Sequence, residues 1–278
     1  MKIFYSLQDF INANIRVQSF VPTMGNLHEG HLSLINAGKK YKKNTCVSIY
    51  INEGQFNNKK DFDNYPRTIE DDIKILESCD VEYVLIPKKS DIEKYTSSLS
   101  SKFEPKTLTS DLCGKYRPGH FYAVMDIIYR FFQIIKPEMI VLGEKDYQQL
   151  IIIAELIRIM KYDIRLISSP TIRNTDGLAL SSRNNHLTKK QKELACDIYK
   201  ALHLSKELLK ENFPIEKIYQ EIDIFFSKSS IKLEYFAIRD LKTLQQSYDN
   251  DLIALISCYV GNIRLIDNLI IRSFNSKS

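Results

Sequence analysis

The sequence contains few cysteines and no spacing that pairs them. Five occur in 278 residues, namely Cys46, Cys79, Cys113, Cys196 and Cys258. An odd, scattered set argues against a disulfide framework and favours a reducing compartment, so we expect a cytoplasmic protein. The absence of a cysteine pair also disfavours a structural zinc site, which groups its ligands.

Long apolar runs and concentrated positive charge are missing as well. The most apolar windows, such as residues 150–160, include Glu155 and Arg158 and are too short to span a bilayer. Residues 1–9 lack the apolar core of a signal peptide. The net charge of +5 is spread along the chain, which fits anionic substrates but does not predict a nucleic-acid surface. We therefore expect a soluble protein without membrane or nucleic-acid partners.

Short apolar strands alternate with helices in the first part of the chain. The pattern predicts strands at residues 17–21, 45–51, 81–86, 139–142 and 164–167, and helices at 31–43, 68–78, 121–135 and 147–160. This alternation is typical of an α/β fold with a parallel sheet covered on both faces. In such sheets, ligands bind beyond the carboxyl ends of the strands.

The order of predicted helices and strands changes after residue 171. Two amphipathic helices, at 187–209 and 214–226, precede predicted strands at 233–238, 252–259 and 263–266. We predict two domains, one at 1–171 and a smaller α+β domain at 172–278.

A histidine pair marks the junction between the first predicted strand and its helix. Gly25 and Gly30 permit close approach of a ligand to the backbone, and a helix N-terminus binds phosphate through its N–H groups. His28 and His31 add donors that stabilise charge developing on a triphosphate, which predicts an enzyme acting on ATP. The alternatives are a helix cap with a surface histidine, or a zinc pair spaced three rather than four residues apart.

Two further segments carry groups suited to phosphate. Gly143 ends a predicted strand, and Lys145 offers a cation, although an ordinary turn capped by Asp146 explains the same residues. Residues 176–184 contain Ser181, Ser182 and Arg183, which suit β- and γ-phosphates; a turn that caps the next helix is the alternative.

Neutral amides and a pair of carboxylates complete the candidate site. Asn52, Gln55 and Gln149 follow strands and are suited to binding hydroxyls and a carboxylate. Asp71 and Asp72 are suited to magnesium, but acidic residues are also favoured in the first turn of a helix.

Six segments resemble the pantothenate synthetase (pantoate–β-alanine ligase) family, in order over nearly the whole chain. They are residues 22–31, 65–68, 117–121, 143–150, 176–184 and 264–268. The resemblance implies a Rossmann-like nucleotidyltransferase domain, related to class I aminoacyl-tRNA synthetases, with a C-terminal α+β lid domain. It also implies a homodimer.

The resemblance further implies which residues act. The implied ATP contacts are Met24, Gly25, Asn26, Leu27, His28, Glu29, Gly30, His31, Gly143, Glu144, Lys145, Asp146, Ile172, Leu180, Ser181, Ser182 and Arg183. The implied catalytic set is His28, His31, Lys145, Ser181 and Arg183, with His31 as general acid and Lys145 on phosphate.

The same resemblance implies the substrate and metal contacts. Gln55 and Gln149 match the glutamines that bind pantoate, with Gln55 also near β-alanine, and we add Asn52 to this set. Asp71 and Asp72 match residues implicated in binding Mg²⁺.

The implied reaction makes pantothenate in two steps. Pantoate attacks the α-phosphate of Mg-ATP to give pantoyl adenylate and pyrophosphate. The amine of β-alanine then attacks the acyl carbon and releases AMP.

The chain departs from the family pattern at two places. The loop usually read as Asn-Pro-X-Gln-Phe is here Asn-Glu-Gly-Gln-Phe at 52–56, so a proline that stiffens the backbone is missing and Glu53 adds negative charge. Ile75 stands where some members have a polar group near the metal.

Two other functions stay open at this stage. One is a different adenylyltransferase of the same superfamily, acting on a nucleotide or phosphopantetheine. The other is a non-catalytic module that binds nucleotide or RNA, which would show salt-dependent RNA binding without ATP turnover.

Overall fold

The computed structural model describes residues 1–41 and 44–272, which form two compact units. The first unit comprises Met1–Glu144 and Gln149–Pro170. The second comprises Lys145–Gln148 and the described residues from Thr171 onward. The assignment of residues 1–171 as an ATP- and pantoate-binding domain and of 172–278 as a lid stays a prediction.

The first unit is built on a six-stranded parallel sheet. Its strands are β1 (Lys2–Phe4), β2 (Ser19–Thr23), β3 (Thr45–Ile49), β4 (Tyr83–Leu85), β5 (Met139–Gly143) and β6 (Arg165–Ser169). They are ordered β1-β4-β3-β2-β5-β6, and every pairing is parallel. The predicted parallel sheet is thus confirmed. The edge strand β1 was not predicted, because three residues are too few to show a period.

Helices connect these strands. They are α1 (Leu7–Asn12), α2 (Glu29–Tyr41), α3 (Lys59–Asp63), α4 (Ile69–Ser78), α5 (Lys89–Tyr95), α6 (Lys106–Thr109), α7 (Cys113–Tyr116), α8 (His120–Ile135) and α9 (Tyr147–Ile159). The four predicted helices correspond to α2, α4, α8 and α9. Helix α2 begins two residues before the predicted start, and Lys42 and Lys43 at its predicted end lie outside the described residues.

The centre of the sheet is buried on both faces. All residues of β3 are buried, and those of β2 are buried except the partly exposed Pro22. Val21, Val47 and Val141 pack with Ile35 of α2 in one cluster. A central strand covered on both faces gains from apolar residues at successive positions, which explains why these strands do not alternate.

The order of the strands determines where a ligand fits. Strand β2 pairs with β3 on one side and β5 on the other, so the direction of chain progression reverses at β2. Doubly wound sheets bind ligands at the carboxyl ends of the strands beside this reversal. Residues 24–31 follow β2 and Gly143 ends β5, so both lie at that end of the sheet.

The second unit has the α+β composition expected from the sequence. Its elements are α10 (Lys189–Lys210), α11 (Ile215–Ser227), β7 (Lys232–Asp240), β8 (Leu252–Val260) and β9 (Ile263–Arg272). The strands form an antiparallel sheet in the order β7-β8-β9, with its own buried core. The predicted fold class is confirmed. Across residues 1–41 and 44–272, no helix combines the length and apolarity needed to cross a bilayer.

Candidate active site

The two histidines of residues 24–31, the histidine loop, lie against each other. Their ring centroids are 4.1 Å apart, and both side chains are half-buried. The His28 backbone N–H donates to His31 Nδ1 (3.2 Å), and the Gly30 N–H donates to His28 Nδ1 (3.1 Å). Since both Nδ1 atoms accept, each neutral ring carries its hydrogen on Nε2. In this tautomer, Nε2 is the ring atom that can donate a hydrogen bond, for example to a phosphate oxygen.

The backbone of the histidine loop contacts a carboxylate from α4. The N–H groups of Asn26 and Leu27 donate to the two carboxylate oxygens of Asp72, at 2.9 and 2.7 Å. The Thr68 hydroxyl also donates to this carboxylate (3.2 Å), which is 1% exposed. Asp72 therefore lies at the predicted ATP segment but is already hydrogen-bonded through both oxygens.

The two carboxylates of the predicted magnesium pair have different surroundings. Asp71 is exposed and pairs with Lys74 at 3.3 Å, whereas Asp72 is buried against the histidine loop. One turn further along α4, Ile75 offers no ligand and packs against the core. In the part of the chain that the structure describes, no three histidine, cysteine or acidic side chains form a metal-binding group. The geometry gives the Asp71–Asp72 assignment no support.

Two of the predicted substrate amides lie together beside the histidine loop. The Asn52 amide nitrogen donates to Gln55 Oε1 (3.2 Å) and to the Ala123 carbonyl of α8 (3.1 Å). The Gln55 amide nitrogen lies 2.9 Å from the sulfur of Met24. These contacts orient both amides within the first unit.

The backbone at Gln55 is fixed although the usual proline is absent. The Gln55 carbonyl accepts from Arg117 Nη2 (3.0 Å) and from His120 Nδ1 (2.7 Å). Because Nδ1 donates, His120 Nε2 is the acceptor for Arg117 Nη1 at 3.1 Å. The side chain of Glu53 points to Lys89, 3.4 Å away. Two donors that sequence reasoning did not assign thus replace the constraint of proline.

The remaining predicted residues of the first unit lie at the end of β5 and in the first turn of α9. Gly143 has space for a Cβ, which would meet only Leu34 at 3.7 Å. The Ser168 hydroxyl donates to Glu144 Oε1 (2.8 Å), and Gln149 lies half-buried in the first turn of α9. Their predicted roles toward ATP and pantoate stay predictions.

In the second unit, the predicted ATP contacts lie on a small hairpin followed by a short turn. The Leu180 N–H donates to the Ile172 carbonyl (2.9 Å), which joins two segments expected to contact ATP. The Ser181 hydroxyl accepts from the Arg183 N–H (3.3 Å) and caps the 3-10 turn Ser182–His186. Ser181 thus caps this 3-10 turn, whereas Thr188 caps the next helix, α10, and the phosphate role of Ser181 stays a prediction. We call residues 172–183 the serine loop.

The serine loop is anchored to β9 by an ion pair. Arg173 makes two hydrogen bonds to the Asp267 carboxylate, of 2.5 and 2.8 Å, and its guanidinium lies 3.9 Å from the centre of the Tyr199 ring. The neighbouring Asn268 accepts from Arg173 through its carbonyl and donates from its side chain to the Lys145 carbonyl (2.9 Å). Strand β9 thus brings Lys145 and the serine loop together, with Asp146 exposed beside them.

Sequence reasoning assigned no role to several residues that shape these loops. They are Arg117, His120, Arg173, Asp267 and Asn268. The signal for most of them was present, because residues 117–121 and 264–268 resemble family segments. The contacts, however, join positions up to 123 residues apart.

Two of the cysteines are buried in surroundings that disfavour the thiolate. Burial raises the pKa of the Cys46 thiol and of the Cys258 thiol above the ordinary value for cysteine. Both thiols are therefore uncharged near neutral pH and poor nucleophiles.

Comparisons with known proteins agree with this architecture. The family model for pantoate-beta-alanine ligase matches residues 3–270. The pantothenate synthetase of Thermosipho africanus is 39% identical over 91% of this chain and 91% of its own length. The pantothenate synthetase of Acinetobacter baumannii is 36% identical over 91% of this chain and 90% of its own.

Solved structures give the same result. Pantothenate synthetase from Thermus thermophilus matches with a TM-score of 0.91 at 28% identity, covering 98% of this chain and 99% of that one. The ligase from Francisella tularensis, complexed with beta-gamma ATP and beta-alanine, has a TM-score of 0.80 at 34% identity and covers 98% of each chain. The chain therefore belongs to the pantoate–β-alanine ligase family.

Proposed function

We propose that this protein condenses pantoate with β-alanine at the expense of ATP and so makes pantothenate. The observation that carries the proposal is the histidine loop at the carboxyl end of the central strand, where backbone N–H groups donate to Nδ1 of His28 and of His31 and so leave the ring hydrogen on Nε2 in a chain of this family. A relative 34% identical was solved with an ATP species and β-alanine, which supports two of the three substrates.

The first step forms an acyl adenylate. A carboxylate oxygen of pantoate attacks the α-phosphorus of ATP, the bond from that phosphorus to the bridging oxygen breaks, and pyrophosphate leaves. Negative charge moves to the leaving group, where His28, His31 and Lys145 are proposed to stabilise it, together with Ser181 and Arg183. Ser182, Gly143 and Glu144 are proposed as further ATP contacts.

The second step releases AMP. The uncharged amine of β-alanine attacks the acyl carbon, the bond from that carbon to the AMP oxygen breaks, and the nitrogen loses its proton. Gln55, Gln149 and Asn52 are proposed to hold pantoate, since neutral amides bind hydroxyls and a carboxylate without adding charge. Holding the adenylate beside the amine makes the attack effectively unimolecular, so no covalent enzyme intermediate is needed.

Three finer points belong to the same proposal. We propose that Mg²⁺ enters with ATP, because magnesium prefers phosphate oxygens among its ligands. A cytoplasmic location and a homodimer are proposed from the composition and from the family resemblance.

A turnover assay with omissions tests the proposal. AMP release should require ATP, pantoate and β-alanine together, whereas pyrophosphate should appear in a single stoichiometric burst with ATP and pantoate alone. A dinucleotide product, or RNA binding without turnover, would contradict it.

A substitution at His31 tests the donor role separately. In His31→Asn, the Asn side-chain oxygen can still accept from the His28 N–H, but the Nε2 donor is lost. We expect pyrophosphate release to fall by roughly 100-fold or more, with the melting temperature preserved. His203→Ala, at an exposed position of α10, is the control. A near-normal rate in His31→Asn would remove His31 from the mechanism.

A further inference from the structure

The backbone of the histidine loop adopts an uncommon conformation just before His28. Gly25 has φ +79° and Asn26 has φ +52°, so two consecutive residues lie in the left-handed region. Only glycine adopts this conformation without cost, with asparagine next. Consecutive N–H groups in such turns point to one side and form a concave site for an anion.

The anion at this site is the carboxylate of Asp72. The N–H groups of Asn26 and Leu27 donate to different oxygens of that carboxylate, 46 and 45 residues along the chain. The fit leaves no spare room, because a Cβ on Gly25 would lie 2.9 Å from Asp72 Oδ2 and 3.1 Å from a methyl of Ile49. Hydrogen bonds to a charged acceptor are roughly twice as strong as neutral ones.

These hydrogen bonds compete with metal binding. Each Asp72 oxygen accepts a backbone N–H, one also accepts the Thr68 hydroxyl, and the side chain is almost fully buried. A magnesium ion at this carboxylate would have to displace those donors. The neighbouring Asp71 is directed to Lys74 instead.

We propose that Asp72 is a positioning residue for adenylate formation and not a magnesium ligand. Its carboxylate holds the turn at residues 25–27 and so fixes the point from which His28 and His31 direct their Nε2–H groups to the phosphates. This inference rests on the proposed function for the reaction it serves, but its structural part is tested without any substrate.

Amide NMR of the wild-type protein tests the contact. The Asn26 and Leu27 amide protons should be slow to exchange and shifted downfield, as expected for N–H groups that donate to a carboxylate. Titration with MgCl₂ in the absence of nucleotide should leave both resonances in place. A saturable shift of these two amides with MgCl₂ would overturn the proposal.

Matched substitutions test the catalytic consequence. Asp72→Asn keeps the shape but places an N–H₂ group against a backbone N–H, so we expect the rate of pyrophosphate release to fall at least about tenfold. The Mg²⁺ concentration that gives half the maximal rate should stay within about twofold of wild type. Glu70→Gln removes one charge from the exposed first turn of the same helix and should change the rate by no more than about twofold.

A magnesium-binding role for Asp71 and Asp72 predicts a different set of results. If the Asp71–Asp72 pair binds magnesium, then Asp71→Asn and Asp72→Asn both raise the Mg²⁺ requirement, and excess Mg²⁺ restores the rate. If Asp72→Asn does not fold, the amide measurement on the wild-type protein still tests whether Asp72 binds the backbone or magnesium. A wild-type protein without turnover contradicts the proposed function and leaves the amide test intact.

Discussion

The histidine loop and the serine loop both carry residues proposed to bind ATP, but they are held by different interactions. In the first unit, the backbone N–H groups of the histidine loop donate to the buried Asp72 carboxylate. In the second unit, Arg173 pairs with Asp267 and stacks on Tyr199. The comparison shows that a charge can fix a loop either through backbone N–H groups or through a charge of opposite sign.

The two anchors differ in which groups of each loop they use. Asp72 binds the histidine loop through backbone N–H groups, so this anchor uses neither imidazole side chain. The serine loop is longer and has internal order, because the Asn174 side-chain oxygen accepts from the N–H groups of Asp176 and Leu178. Its anchor to β9 is a side chain, that of Arg173.

The largest effect on stability is expected from breaking the ion pair of the serine loop. The Arg173 and Asp267 side chains are 14% and 4% exposed, and removing the charge of Asp267 leaves the buried guanidinium without its carboxylate partner. We expect Asp267→Asn to lower the free energy of unfolding by about 3 kcal/mol, measured by urea denaturation.

The control for this change is an exposed pair in the same unit. Asp197 pairs with Lys200 at 2.8 Å, but the lysine side chain is 65% exposed. Asp197→Asn should therefore cost less than about 1 kcal/mol. Equal losses for both variants would show that burial does not determine the strength of the Arg173 anchor.

A smaller loss is expected from crowding Gly177 in the serine loop. Gly177 has φ +92°, and an added Cβ would lie 2.4 Å from the Tyr199 ring on which Arg173 stacks. We expect Gly177→Ala to lower the free energy of unfolding by about 2 kcal/mol, from backbone strain and displacement of the ring. Gly119→Ala has a similar φ of +78° but no atom within 4 Å of the added Cβ, so it isolates the backbone cost of about 1 kcal/mol.

Gly25 of the histidine loop is the counterpart of Gly177 and allows the two loops to be compared directly. In Gly25→Ala, the Cβ meets the Asp72 carboxylate, so pyrophosphate release should slow in addition to the loss of stability. Gly177→Ala, in contrast, is expected to act first on unfolding. If Gly25→Ala kept the wild-type rate, the backbone anchor would not matter to the histidines.

The smallest effect is expected where the serine loop leads into α10. Thr188 and Gln191 form a capping box, in which the Thr188 hydroxyl accepts from the Gln191 N–H and the Gln191 side chain accepts from the Thr188 N–H. Thr188→Ala should cost about 1 kcal/mol of unfolding free energy, and Thr188→Ser should retain most of it. Equal losses in both variants would assign the effect to the threonine methyl group.

Much of the fold could be predicted from the sequence. Apolar periodicity located α2, α4, α8 and α9 and five of the six parallel strands to within a few residues. The three-residue strand β1 was missed, because its identity comes from pairing with β4 and not from a local pattern. The helices α5, α6 and α7 lie in a polar stretch where the apolar period is weak.

The candidate site was predictable as a set of positions but not as a set of contacts. Glycines and histidines after β2 are a local signal, so the histidine loop stood out in the sequence. The sequence placed Asp72 beside Asp71 and so favoured a metal ligand, whereas the structure shows it accepting from the N–H groups of Asn26 and Leu27. Only the fold shows that the two adjacent carboxylates point to different surroundings.

The sequence by itself determined the fold class, the order of the elements and which side chains are candidates for the chemistry, since local periodicity and residue type express these features. The tertiary structure decided which distant groups hold the loops: Asp72 for the histidine loop, and Asp267, 94 residues from Arg173, for the serine loop. The physical reason is that a buried charge is stable only where packing brings its partners. That packing depends on the whole fold and leaves no periodic trace in the chain.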